Sequence, residues 1–512
     1  AVTGWNAWAL WYYDIKVNEV RYTPDFTTII PVLLKDYEVS DDLKVYTFYL
    51  RHGIKWSDGD PYDADDYAFW WNDVVLNDEL MPGKPPEFMA GGELAKFEVL
   101  DQYTIRFTFS VPYALFLDQL AQPRYWGPLA LPSHYLKQFH PNYTSEDELS
   151  AVMAEKGFDT WTDLFNTMNY AGGNPDLPAL EAWKALDPDT GTVQHFVRNP
   201  YFWQVDTDGN QLPYIDYIEV QLLQDSEACL LKALAGEVDF QWRNIASLDN
   251  YTVVLENAYK GNYHIVPTSP SNANLYSIYF NYTIEDPVKN ALFNDLRFRQ
   301  ALSYAINRQQ INDLLQKGMA PPSQISPPAR DPAYVEETAL IYTEYDIDKA
   351  NELLDAIGLP WDAAHQWRLD PAGNKLEFEK IFYTTWPKHQ AEAQDLIAQS
   401  WALIGIKVNN KALEQSLWAE QMLGGQYEMS AKAVEIGGTP YLPLGTQSLF
   451  PIDEYWWTEP AWGRWLASGG AQGVEPPAEV KRLYNLYFDF LNTTDPAERL
   501  AIEKDAFALF AK

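Results

Sequence analysis

Between Leu376 and Leu413 the apolar pattern changes period twice. The segment LEFEKIFYT alternates, as a half-buried strand does. HQAEAQDLIAQSWALIG then repeats its apolar residues at helical spacing, and IKVNNKAL returns to alternation. Strand, helix and strand in succession make a βαβ unit. Its strands are expected to be parallel and its crossover right-handed, because a right-twisted strand feeding a helix packs back on its sheet only that way. Such a unit sets the class as mixed α/β.

The remaining segments agree with that class. ELAKFEVLD and YTIRFTFS read as a hairpin. PYALFLDQLA reads as a helix with Pro112 at its first position. NPYFWQVDTDGNQLPYIDYIEVQLL gives a loop and a long strand. SEACLLKALAGEVDF gives a helix stopped by Gly236 and then a further strand. Asp295 is expected to cap one helix running through Lys317, with Gly318 ending it. Proline-rich breaks fall at 321–332 and 438–445.

A chain of 512 residues exceeds one compact core, so two or three domains are expected. A net charge of −35 without a basic cluster excludes a nucleic-acid groove, which must displace counterions. No apolar run reaches the roughly 20 residues of a membrane-spanning helix. The start, AVTGWNAWAL, lacks the basic and apolar regions of a signal peptide, so a mature or shortened N-terminus is expected. The single cysteine, Cys229, lies in an apolar helical pattern and reads as a small buried hydrophobe.

Five aspartates crowd between Asp58 and Asp66 in WSDGDPYDADDYAFWW. Calcium would require oxygens at alternating positions, a central glycine and a closing glutamate, and Asp58, Asp60 and Asp63 do not keep that register. Turn and cap chemistry accounts for them instead. SDGDP is a turn, Asp63 is a helix N-cap, and Asp65 and Asp66 sit in the first turn, where the helix dipole favours negative charge. Tyr67, Trp70, Trp71 and Val74 then line one apolar face, so these two tryptophans read as packing.

The stretch YTFYLRHGIKWSDGDPYDADDYAFWW also resembles the signature segment of extracellular solute-binding proteins of family 5, the oligopeptide, dipeptide and nickel receptors of ABC importers. Leu50, Arg51, Gly53, Trp56, Asp58, Gly59, Pro61, Asp65 and Asp66 carry the likeness. FNDLRFRQALSYAINRQQI resembles a second family motif through Asp295, Arg297, Arg299, Gln300, Ala301, Ala305 and Arg308. YDIDKANELLDAIGL resembles a third. PYALFLDQLA, HYLKQFHP and GGAQGVEPP are similar to the longer, Trp-rich branch.

The resemblance implies a periplasmic-binding-protein-like fold of type II, cluster C-like. Two lobes would flank a ligand cleft, and an extra N-terminal subdomain would decorate lobe one. On that pattern, residues 1–122 are the subdomain, 123–265 lobe one and 266–512 lobe two. The family's early strand and its return crossing to lobe one have no match here, so a chain shortened at both ends is expected.

No enzyme constellation is present: H-E-x-x-H, G-x-S-x-G and a phosphate-binding loop are all missing. His134 and His140 lack metal-ligand spacing, so no metal and no cofactor are expected. Arg297 and Arg299 read as helix-surface ion pairs.

The 20 tryptophans are more telling, because an indole face stacks on the C–H face of a sugar ring while polar side chains take its hydroxyls. Loop tryptophans near a strand end are the useful subset: Trp242, and Trp386 at the carboxyl end of a strand, where open α/β sheets place ligands. Trp456 and Trp457 in EYWWTEPAW join them. Arg243, Asn244, Asn272, Asn274 and Glu435 are the polar candidates.

The expected function is that of the extracytoplasmic substrate-binding component of an ABC importer. It would act as a monomer, in the periplasm or anchored at the cell surface. It would hand a short oligosaccharide, or alternatively an oligopeptide, to a membrane permease. An enzyme or a sensory receptor on the same fold are the readings of another class.

Overall fold

The computed structural model describes residues 16–24, 28–121, 129–188, 192–241, 245, 247–266, 274–385, 387–434, 449–493 and 495–511. The chain divides into two compact units, Ala1–Val266 and Pro267–Lys512.

In the first unit, strands β1 (Leu34–Val39), β2 (Val45–Leu50), β3 (Lys96–Asp101) and β4 (Thr104–Thr108) form an antiparallel sheet in the order β1–β2–β4–β3. The acidic knot lies beside it. Asp63 caps helix α1 (Ala64–Phe69): its carboxylate accepts from the Asp65 backbone N–H at 2.9 Å. A π-helical turn, Trp70–Val75, carries the helix on. Gly59 has φ +97°, and an added Cβ would lie 3.0 Å from the Tyr201 hydroxyl, so this turn position suits glycine. His134 bridges Asp58 and Asp60 at 2.8 and 3.3 Å. Asp66, 3% exposed, accepts from Trp56 Nε1 and the Ser133 backbone, and burial pushes its carboxyl up to about 6. Every aspartate of the knot except the first-turn Asp65 therefore has a side-chain role in turn, cap or ring contacts.

Trp70 and Trp71 pack in an aromatic cluster. Trp71 stacks on Phe97 at 5.6 Å, and both indoles meet Phe88 edge-on. A second sheet pairs Trp183–Ala185, Val193–Arg198 and Tyr217–Gln221 antiparallel.

The second unit is built on a four-stranded mixed sheet. Its members are β5 (Asn274–Phe280), β6 (Glu377–Tyr383), β7 (Lys407–Leu413) and β8 (Met429–Val434), in the order β5–β8–β6–β7. The βαβ unit forms as its periodicity requires. β6 and β7 run parallel from Glu377↔Lys407 to Tyr383↔Leu413, and helix Gln390–Ala402 connects them. One sheet face packs Phe280, Phe378 and Met429 against Phe293, Phe298, Leu302, Ile397 and Trp401. The other packs Ile381 and Tyr383 against Trp418, Met422 and Tyr427.

Four sequence expectations are corrected. The helix expected from Asp295 to Lys317 is two, α2 (Leu296–Tyr304) and α3 (Arg308–Leu315). Asn307 interrupts it by accepting the Gln310 N–H at 3.0 Å and so capping the second. The helix placed at Pro112 begins at Phe116, because the Tyr113 N–H is held by the Leu43 carbonyl at 3.0 Å. The strand expected after Gly236 is not formed: the Glu237 N–H folds back to the Lys232 carbonyl as a helix cap, and Lys232 pairs with Glu237 at 2.9 Å. Cys229 is part-exposed rather than buried.

Candidate functional site

Among the nine candidate ligand residues, Trp242, Arg243, Asn244, Asn272, Trp386 and Glu435 lie outside the described residues. The other three fall in the second unit. Asn274 and Trp456 line one cavity of about 1250 Å³. Trp457 does not line it; its indole packs on Trp418 at 5.0 Å and on Tyr455 at 5.8 Å.

The cavity runs along β5. All seven strand residues, Asn274 to Phe280, contribute to its wall. Among the described residues β5 is an end strand, bonded to β8 on one side, so half of its backbone groups point away from that sheet. Asn274 braces the strand's start: Nδ2 donates to the Ser323 carbonyl at 3.0 Å, and Oδ1 accepts the Tyr276 N–H at 3.0 Å. The Tyr276 hydroxyl receives Gln316 Nε2 at 2.7 Å and donates to the Lys388 carbonyl at 3.1 Å.

The far wall is aromatic. Trp462, in helix α4 (Pro460–Ala467), stacks on Tyr282 at 5.1 Å and 17°, and the Arg299 guanidinium lies 5.4 Å from the Tyr282 ring centre. Trp456 is 2% exposed and Ser277 is 7% exposed. Trp456 and Ser277 both line this cavity, and among the described residues the Trp456 Nε1–H and the Ser277 Oγ have no hydrogen-bond partner. Arg308, also on the wall, donates to the Ser303 carbonyl and hydroxyl at 2.8 and 2.7 Å, and burial lowers its pKa to about 10. A strand edge, two unpartnered donors and flat aromatic walls can hold an elongated molecule by hydrogen bonds on one side and stacking on the other.

Other buried charges went unnoticed in the sequence. Glu459, 2% exposed, accepts from the Tyr282 N–H at 2.8 Å and from Thr283 Oγ1 and the Ala461 N–H at 3.3 Å. Burial pushes its carboxyl up to about 7. Burial brings the Lys380 amine down to about 7. Their only sequence signal is a charge inside an apolar run, as in FEKIF, and that pattern also fits a solvent-facing residue.

Arg297 pairs with Asp295 at 2.6 Å, and Arg299 donates to the Phe293 carbonyl at 2.7 Å. Among the described residues no group of three or more His, Cys, Asp or Glu could hold a metal ion, and no helix is long and apolar enough to cross a membrane.

Residues 28–440 match the family model for bacterial extracellular solute-binding proteins, family 5 Middle. The periplasmic alpha-galactoside-binding protein of Rhizobium meliloti is 27% identical over 500 residues, covering 93% of this chain and 66% of that protein. The di/tripeptide-binding protein 1 of Pseudomonas aeruginosa is 25% identical, covering 78% of this chain and 66% of that protein. The chain thus spans about two thirds of the length of the curated relatives it matches. Among solved structures, the oligopeptide-binding protein OppA is 37% identical with a TM-score of 0.81, covering 99% of this chain and 81% of that one. The binding protein MelB of Agrobacterium fabrum, solved with stachyose, shares the fold at 22% identity and a TM-score of 0.65, covering 99% of this chain and 76% of that one.

Proposed function

The chain belongs to the bacterial extracellular solute-binding proteins of family 5, and on that premise we propose that it is the extracytoplasmic substrate-binding component of an ABC importer. It captures a short oligomeric solute and delivers it to a membrane permease, as a monomer and without chemical change to the ligand. The observation that carries this reading is the family match over residues 28–440.

For the solute we propose a short oligosaccharide. The relative named for alpha-galactoside binding aligns over 93% of this chain, and those of its tryptophans that are not packed in a core offer rigid faces for sugar rings. A peptide site that accepts many sequences gains less from indoles, since its affinity comes from backbone pairing. The oligopeptide reading remains the second, favoured by the 37% identity to OppA.

Trp242 and Trp386 are the proposed stacking residues, with Arg243, Asn244, Asn272, Asn274 and Glu435 offered to ligand polar groups. Trp242→Ala and Trp386→Ala are each expected to weaken oligosaccharide binding by more than ~1 kcal/mol in titration calorimetry. Unchanged affinity in both variants would remove them from the site.

A further inference from the structure

The aromatic wall of the β5 cavity is held by a residue that does not line it. Tyr282 and Trp462, whose rings stack at 5.1 Å, both belong to the wall. Tyr282 sits in the turn that follows β5, and its backbone is pinned at both ends. Its carbonyl accepts from Asn290 Nδ2 at 2.9 Å and from Asn294 Nδ2 at 3.0 Å, and its N–H donates to Glu459 Oε2 at 2.8 Å. The next residue, Thr283, donates from Oγ1 to Glu459 Oε1 at 3.3 Å.

Glu459 is at the same time the N-cap of α4. Its Oε1 accepts the Ala461 N–H at 3.3 Å, and its backbone carbonyl accepts the Trp462 N–H at 3.1 Å. One carboxylate therefore joins two segments 177 residues apart in the chain, each of which carries one ring of the stack. Close packing backs α4: an added Cβ at Gly463 would lie 1.9 Å from the Asp453 carbonyl oxygen, an approach that only glycine permits. Capping alone does not call for this arrangement. Ser, Thr, Asp and Asn are the usual caps, and their short side chains serve at the surface. Glutamate is a methylene longer than aspartate, and here, 2% exposed, it reaches past its own helix to the Tyr282 turn.

We propose that Glu459 is a positioning residue of solute capture: its carboxylate locks the turn after β5 to the start of α4 and so holds Tyr282 and Trp462 as one stacking wall. The inference rests on the reading of the β5 cavity as the place where the solute binds. Side chains supporting a site in this way fix the rotamers of the groups that touch the ligand.

The test uses the full chain and three variants. Trp462→Phe defines the near-ultraviolet circular-dichroism band of the Trp462–Tyr282 pair. Glu459→Asp keeps a good helix cap but is too short for the Tyr282 N–H, so it should lose that band while the far-ultraviolet spectrum stays that of a folded chain. Glu459→Gln keeps an oxygen for the Tyr282 N–H and should retain the band. Raffinose, maltotriose and trialanine are then titrated into each protein. For whichever binds, Glu459→Asp should weaken affinity roughly fivefold, the scale of one aromatic contact, and Glu459→Gln should restore most of it. A band that survives in Glu459→Asp overturns the proposal, because the rings then hold without the tie. Loss of the band with unchanged affinity overturns it too, because the wall then does not meet the solute. If the unaltered chain binds none of the three probes, the solute reading fails, and the band alone decides the role of Glu459.

Discussion

Arg368→Met is expected to destabilise the second unit by about 3–5 kcal/mol, because it leaves the buried carbonyls of Ile404 and Leu359 without their donor at roughly 1–3 kcal/mol each, whereas Asp355 stays exposed to solvent. Arg368 is 0% exposed. Its guanidinium donates to the carbonyls of Ile404, Leu359 and Asn351 at 3.1, 2.5 and 3.3 Å, to Asn351 Oδ1 at 2.8 Å and to Asp355 Oδ1 at 2.7 Å. It also lies 4.9 Å from the Trp361 ring. Methionine fills the volume but leaves these acceptors without their donor inside the protein. Arg368→Lys should recover little, because one ammonium cannot reproduce a planar fork with five N–H groups. Urea unfolding followed by Trp fluorescence reads the result. A loss under 1 kcal/mol would mean that the network is replaceable by solvent.

The second large effect is a stability minimum near neutral pH. Glu459 in the fold titrates at about 7, above the 4.5 of a free glutamate, because burial outweighs its hydrogen bonds. Its contribution is therefore complete below pH 4.5 and is lost as the pH rises through 7. Asp66 acts alike between 3.8 and about 6. Lys380 has the opposite sign: its folded value, about 7, lies below the free 10.5, so stability returns as the pH climbs from 7 towards 10.5. At 1.36 kcal/mol per pKa unit, Glu459 is worth about 3 kcal/mol and Lys380 about 5 kcal/mol over their windows. Glu459→Gln should flatten the acid limb and Lys380→Met the alkaline limb in unfolding measured from pH 4 to 10. Unchanged limbs in both variants would show that these groups titrate alike folded and unfolded.

The βαβ unit was legible because Leu376–Leu413 switches period where the chain switches element, even though β6 is buried on both faces and β7 on neither. The aspartate knot was legible because turn and cap chemistry is local. The break at Ala305–Asn307 was not: the apolar residues continue across it, and only the Asn307 cap marks it. Buried charges were the harder loss. Arg368, Lys380 and Glu459 are held by partners or cavities distant in sequence, and single-residue chemistry places all three at the surface. For the site, Asn274 and Trp456 came together on one cavity while Trp457 went to a neighbouring core cluster, a difference between adjacent indoles that loop sequence does not encode.

The most direct test is thermal unfolding of the chain with matched panels of di- to tetrasaccharides, alpha-galactosides included, and of mixed tri- to pentapeptides. A ligand bound only by the folded state adds about 2.7 kcal/mol at a hundred times its Kd, which is readily seen as a higher melting temperature. The account predicts a rise with at least one oligosaccharide and none with peptides. A rise with peptides alone would reverse the assignment of solute, and no response to either panel would contradict capture of a short oligomer.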